Sequence, residues 1–458
     1  MVRTFICILC ALSSSFALAA DGDVDLSFGD SGQVTVARPP GAPTAPTPTG
    51  DVLALADGAY LWSMSNEDSS LWIGRTLHDG SNDTAFGDEG SGHVTLTDCI
   101  DFAPTFLAAD GTGGAYAWTG ACLVHITADG SVDDTFGGVP LIDADYAVID
   151  FARDAKGRFV LAATTGLTWD VFRFDSDGVT PDASFGTDGR VRIDVPATNN
   201  LRGINAIAVR DDGRIVAAGW RGNSSGPNLV VAELTESGDL DPAWNGGVVV
   251  DLDPPQDLEG IEATALALDA DGSVVIGGFA ASGRVGCCLL LTRLDTAGAV
   301  VKNFGLRIFD LGNISLGSFF EGRDAVTIRS DGSILLATTA FPFSAIHRTQ
   351  FWLTHTDAHG VLDTSFGEGG WRGYTIADPS KSGQNGDYVQ LHAIAPREDS
   401  VLVFGRTFFE DNSNGLDYIS MVRATFAPAD AVFANGFESA GAAFPKPLSS
   451  EAYRTFLR

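Results

Sequence analysis

Basic residues are scarce in this chain: 28 Lys and Arg stand against 59 Asp and Glu, a formal net charge of −31 over 458 residues. A phosphate backbone or an anionic bilayer needs a basic face, so the acidic balance argues against nucleic acid and anionic membranes as partners. Only seven His and three Met are present, which leaves little for a His-based metal centre and rules out a Met-rich groove. No apolar run reaches the 18 residues that a membrane span needs. Capped 3.6-residue periodicity is missing from the body of the chain. What it has in quantity is apolar residues (45%), 54 Gly and 29 Phe, enough for a large core and too apolar for a disordered chain.

Arg3 is the only charged side chain in the first twenty residues, followed by the apolar run FICILCAL and a small-residue end, FALAA. This is the pattern of a secretory signal, with Ala17 and Ala19 as the small pair before cleavage. Residues 1–20 are therefore set aside as a targeting segment. The mature protein is expected in the periplasm, at the cell surface or outside the cell.

Four cysteines remain beyond that segment, Cys99, Cys122, Cys287 and Cys288. An exported chain permits disulfides, and Cys99 with Cys122 is the better candidate pair. Neighbours on a strand point to opposite faces, so a bond between Cys287 and Cys288 would be strained. A reading as small buried hydrophobes stands at least level with that bond for the pair. The spacing is not a zinc pattern, and neither a metal nor a cofactor is expected.

One short string recurs: DLSFG at 25–29, DTAFG at 83–87, DDTFG at 133–137, DASFG at 182–186 and DTSFG at 363–367. DPAWN at 241–245 and VKNFG at 301–305 are degenerate copies. The aromatic positions are Phe28, Phe86, Phe136, Phe185, Trp244, Phe304 and Phe366, spaced 58, 50, 49, 59, 60 and 62 residues apart. A second string alternates with it, a tight turn and an apolar run, as in DDGRIVAAG at 211–219 and ADGSVVIGG at 270–278.

Each period reads as four short strands rich in Val, Ile and Leu, bounded by Gly, Asp and Asn. Four strands per repeat of about 40 to 60 residues, repeated seven times, predict an all-β chain folded as a seven-bladed β-propeller over 21–426. The recurrent aromatic reads as a plug between blades, with the Asp and Ser or Thr of the motif capping turn N–H groups. The first motif has no strands before it and the last period lacks a fourth strand. GQVTV at 32–36 is therefore expected to complete the final blade and close the ring. Residues 427–458 read as a poorly ordered tail.

At these residues the chain resembles the delta-60 repeat family of bacterial β-propeller proteins, whose period pairs a PDGKIVVAG-like run with a DxSFG-like turn. The resemblance covers roughly Asp21 to Phe433, with Trp244, Asn245 and Val301 as departures. It implies a propeller fold and carries no activity and no catalytic residues.

Other motifs yield to plainer readings. GDSG at 29–32 aligns with GDEG, GTDG and GEGG in other repeats, so Ser31 is a variable repeat position and not a nucleophile. GNSSG at 222–226 lacks the strand-to-helix elbow of an esterase. His355 and His359 read as surface residues near a turn. The eight Trp do not recur with the period, as they would around a quinone cofactor.

In an up-and-down blade the repeated turns share one face of the ring, and the irregular segments share the other. Function tends to sit in variable loops on a rigid scaffold. The aromatics of those segments, Trp220, Phe319, Phe320, Phe341, Phe343, Phe408 and Phe409, are the candidate ligand-binding residues. The expected function is a monomeric, non-catalytic scaffold that binds an unidentified protein or glycan there. The alternative is an extracytoplasmic hydrolase or lyase at the central channel, where the inner strands offer Glu262 and His392 but no convergent acid–base set.

Overall fold

The computed structural model describes residues 20–37, 49–66, 70–98, 104–138, 142, 145–196, 201–223, 226–282, 285–310, 314–316, 325–342, 349–377, 388–409 and 416–426. Met1–Phe426 form one unit and Ala427–Arg458 a second, which lies outside the described residues together with residues 1–19. No helix among the described residues is long and apolar enough to cross a membrane.

Seven antiparallel sheets follow one another along the chain. Blade 1 comprises Gly50–Ala54, Tyr60–Ser65, Leu71–Thr76 and His93–Leu96, and blade 2 comprises Phe106–Ala109, Ala115–Trp118 and Leu123–Ile126. Blade 3 runs through Ala147–Arg153, Phe159–Thr164, Trp169–Phe174 and Arg190–Ile193. Blade 4 has Arg202–Val209, Ile215–Gly222, Pro227–Leu234 and Val250–Leu252, and blade 5 has Gly260–Leu268, Val274–Ser282, Val285–Leu294 and Leu306–Asp310. Blade 6 is Ala325–Ile328, Ile334–Pro342, Gln350–Thr356 and Trp371–Tyr374, with Ile314–Leu316 pairing the far end of its second strand. Blade 7 is Tyr388–Pro396, Ser400–Phe409, Leu416–Thr425 and, from the other end of the chain, Gln33–Ala37.

The first strand of each blade touches the first strand of the next, and the cycle returns from blade 7 to blade 1, so the blades close a ring. This is the seven-bladed propeller that the repeats predict. Two blades depart from the four-strand pattern. Blade 2 shows three strands among the described residues, and the first strand of blade 6 is split into two pieces.

Closure rests on a ladder from Gln33↔Val422 to Ala37↔Tyr418. Upstream of it, Asp25 N–H donates to Arg423 O at 2.8 Å and Gly22 N–H to Thr425 O at 2.8 Å. Residues 20–29 thereby form the turn that blades 1 and 3 to 6 make between their third and fourth strands. In blade 7 the covalent chain is absent between those strands, and hydrogen bonds take its place.

The core lies between blades. Seven apolar clusters each join one blade to the next, and the buried aromatics Phe28, Phe86, Phe185, Trp244, Phe304 and Phe366 each belong to a different one. Phe136 is half-buried and packs against the cluster between blades 2 and 3. Each ring sits under a turn glycine of the adjacent blade: Gly80 over Phe28, Gly130 over Phe86, Gly178 over Phe136, Gly238 over Phe185, Gly298 over Trp244, Gly360 over Phe304 and Gly22 over Phe366. Gly298 shows why the residue must be glycine. Its φ is +80°, and a Cβ there would stand 2.8 Å from the Trp244 ring.

A second set of bonds rivets the same corner. The motif Asp accepts the N–H two residues on, as in Ser184 N to Asp182 Oδ1 at 2.8 Å, and it pairs with an Arg or His side chain at the end of the third strand. The pairs are Arg423 with Asp25 (2.7 Å), Arg75 with Asp83 (3.5 Å), His125 with Asp133 (3.2 Å), Arg173 with Asp182 (2.7 Å) and His355 with Asp363 (2.9 Å). His355 is thus buried and bonded, which corrects its reading as a surface residue: the strand end where it sits is covered by the turn.

The degenerate repeats keep the turn by compensation. Asn245, in place of Gly, adopts φ +47°, a left-handed conformation that Asn tolerates better than most side chains, and donates to Ala297 O at 2.8 Å as Gly87 donates to Asp129 O at 2.9 Å. Glu233 replaces the basic residue in blade 4, and Arg210 (2.8 Å) and Arg214 (2.6 Å) bring the positive charge to it. Val301 replaces the Asp in blade 5, where Arg293 turns to Asp269 at 2.5 Å.

Cys122 and Cys288 are both disulfide-bonded, and Cys99 lies outside the described residues. For Cys288 this corrects the reading as a free buried hydrophobe. The ladder passes from Ala280↔Cys288 to Ala281↔Gly286, so the strand carries a bulge at this point.

Two predictions follow from closure and from the motif Asp. A chain starting at residue 38 lacks the fourth strand of blade 7 together with Phe28 and Asp25, and it is expected to lose its cooperative thermal transition. An unchanged melting curve would refute closure by the N-terminal strand. The Asp182 carboxyl is held down to about 2: burial raises it, and the Ser184 hydroxyl and N–H and the Arg173 guanidinium outweigh that. Its stabilisation is therefore full above about pH 4 and lost as the pH falls toward 2. Asp182→Asn should cost about 2 kcal/mol in urea unfolding at pH 7 and little at pH 2.

Candidate functional site

The first strands line the channel of a propeller, and their polar groups are mostly spent on holding blades together. Asp51 accepts the Leu107 N–H of the next blade at 2.9 Å, and Asp150 accepts the Ile207 N–H of its next blade at 2.8 Å. Asn205 donates to Ala263 O across blades 4 and 5 at 2.7 Å. The Arg153 guanidinium lies 4.7 Å from the centre of the Tyr116 ring in blade 2. His392 is buried at a bulge in the first strand of blade 7.

Glu262 is the exception. It is the third residue of its strand, half-buried, paired in register with Phe279, and it has no hydrogen bond or ion pair among the described residues. Burial alone pushes its carboxyl up to about 7. Among the described residues no group of three or more His, Cys, Asp or Glu is placed to hold a metal ion.

The two ends of the ring differ. At the end opposite the repeated turns, the second and third strands set the height of each blade. They are 6 and 6 residues long in blade 1, 4 and 4 in blade 2, and 6 and 6 in blade 3. In blades 4 to 7 they reach 8 and 8, 9 and 10, 9 and 7, and 10 and 10. At 3.2–3.4 Å per residue the longer hairpins stand higher, and one side of the ring becomes a wall.

This wall corrects the expectation that the candidate aromatics sit on loops. Trp220, Phe341, Phe408 and Phe409 all lie on the extended second strands, because the ladder continues through segments that read as irregular. Trp220 is half-buried, between Gly203 and Leu229 in register. Its indole occupies the space beside Gly203, where a Cβ would lie 2.7 Å from the ring nitrogen. Phe408 is half-buried opposite Tyr388 and Asp417. Trp220 and Phe408 stand on blades 4 and 7, at the same end of the ring but not on adjacent blades. Phe319, Phe320 and Phe343, and the side chains of Phe341 and Phe409, lie outside the described residues. Near the top of blade 4, Arg221 pairs with Asp251 at 2.5 Å, and Asn228 donates to Asp251 and Asp253 at 3.0 and 2.6 Å.

No family model matches the chain, and no curated protein matches it. Solved structures similar to it include a PL25 polysaccharide lyase, an ulvan lyase bound to -[GlcA(1-4)Rha3S]-, at TM-score 0.49 and 10% identity over 88% of this chain and 99% of that one. The Myceliophteria thermophila Cps50 (Swd1) β-propeller domain is similar at TM-score 0.43 and 9% identity, over 84% and 98%. A puromycin hydrolase is similar at TM-score 0.45 and 13% identity over 81% of this chain, which spans 54% of the hydrolase. At such identities the likeness concerns the fold alone, and no residue role is transferred.

One prediction comes from Glu262. A carboxyl whose value is raised on folding stabilises the fold below about pH 4.5, and that contribution is lost as the pH rises through 7. Glu262→Gln should therefore match the parent protein in thermal unfolding at pH 4 and exceed it at pH 8, by at most about 3 kcal/mol. An equal difference at both pH values would refute an unpaired, buried carboxyl.

Proposed function

We propose that this protein is an exported, non-catalytic propeller of the delta-60 repeat type that binds a protein or glycan on the face raised by blades 4 to 7. The observation that carries this reading is the asymmetry of that face. Turn geometry is uniform on one end of the ring, whereas hairpin length varies on the other, and variable structure on a fixed scaffold is where binding specificity tends to reside. Trp220 and Phe408 supply the amphipathic and apolar surface that anchors partners. The inner-strand carboxylates Asp51 and Asp150 are engaged by backbone N–H groups of the next blade, which removes them from acid–base work.

A hydrolase or lyase at the channel is the second reading, and Glu262 is what favours it. A carboxyl near 7 suits general acid–base chemistry. It lacks a second ionisable partner among the described residues, whereas glycoside hydrolysis ordinarily uses two carboxyl groups.

The test is a glycan array together with capture from the extracytoplasmic protein fraction. Trp220→Ala and Phe408→Ser should each weaken a captured ligand by about tenfold, within the range of an aromatic anchor, with the melting transition still cooperative. Binding untouched by both substitutions would sink the raised-face reading. Turnover of any array ligand that disappears in Glu262→Gln would replace it with the enzymatic one.

A further inference from the structure

The outer edge of blade 3 holds a cavity of about 480 Å³, lined by Phe172, Phe174, Pro181, Thr187, Asp188, Gly189, Arg190 and Arg192. Arg190 and Arg192 are alternate residues of the outermost strand, so they share one side of the sheet. In blade 5 the corresponding pair, Leu306 and Ile308, packs into the cluster shared with blade 4. In blade 3 two guanidiniums take the place of that apolar contact. Nothing in the propeller fold calls for charge there.

The two arginines share one carboxylate. Asp170 is fully buried and lies 2.9 Å from Arg190 and 3.1 Å from Arg192. The Tyr146 hydroxyl accepts from both, at 2.7 Å from Arg192. Arg190 also stands 5.5 Å from the centre of the Phe172 ring. These contacts use the Nε and one terminal nitrogen of each guanidinium. The Nη1 groups make no hydrogen bond among the described residues, and Arg192 is 53% exposed. The cluster therefore holds two positive charges against one buried negative charge, in a chain whose net charge is −31. Asp188, on the lip, is the opposing charge, and it bonds to neither arginine.

We propose that this cavity is a second binding site, distinct from the raised face, and that it takes an oxyanion of a small ligand on the free Nη1 groups of Arg190 and Arg192. Two guanidiniums fixed by one buried carboxylate are preorganised for that task, because both long side chains are already held by it on folding. The aromatic floor of Phe172 and Phe174 gives the carbon skeleton of the ligand an apolar surface.

Calorimetric titration of the full mature chain with glucuronate, glucose 6-sulfate and uncharged glucose tests this. Both anions, or one of them, should bind in the millimolar range at low salt, and glucose should not; which anion binds tells a carboxylate site from a sulfate site. Arg192→Gln should weaken the anion at least about tenfold, the loss expected for a charge-assisted bond. Asp188→Asn should tighten it severalfold by removing the opposing charge, which a purely structural role for the cluster would not produce. Absence of anion binding at about 20 mM, a few times weaker than any useful affinity, would overturn the proposal. So would equal binding of glucose, or an affinity unchanged in Arg192→Gln. None of these outcomes bears on the Trp220 and Phe408 test, so the two sites stand or fall separately.

Discussion

An aromatic ring held under a glycine of the neighbouring blade is the contact on which the remaining architecture depends. A four-stranded sheet is apolar on both sides and cannot be stable alone, so each blade needs a fixed relation to the next. The ring supplies apolar burial and fixes distance; the absent Cβ lets the backbone come close enough to cover it. The Asp and the Arg or His of the third strand then set the angle at which the turn meets the ring. Together they make one end of the propeller rigid, and that rigidity is what frees the other end to vary in height.

The compensations in blades 4 and 5 show that charge balance and turn shape, not residue identity, are what this corner requires. Glu233 with Arg210 and Arg214 reverses the polarity of the usual pair and leaves the bond pattern in place. Asn245 reaches the left-handed conformation that glycine provides elsewhere. A repeat can thus drift in sequence without leaving the ring, provided that its replacement charge arrives from the neighbouring turn.

The period was legible because the strongest local signals, a recurrent aromatic and the residues that make tight turns, are also the fold's main contacts. Closure by residues 32–36 could be read from counting alone. The covering glycine was equally visible, six residues before the aromatic in most repeats, yet it passes for ordinary turn chemistry until the adjacent blade is seen. The raised wall was hidden because Gly, Arg and aromatic residues at 219–222 and 405–409 interrupt the Val and Ile pattern while the ladder runs on through them. Arg190 and Arg192 carry no motif at all. Their meaning comes from Asp170 and Tyr146, which only the assembled sheet brings to them.

Completion of blade 7 by the N-terminal strand also sets an order of assembly. The strand made first, Gln33–Ala37, pairs with one of the last, Leu416–Thr425, so the ring stays open until nearly the whole chain has been synthesised. Contacts this distant in sequence slow folding. Until that pairing forms, the third strand of blade 7 presents an unpaired edge, so the last step of assembly is also the one that removes an edge through which a second chain could pair.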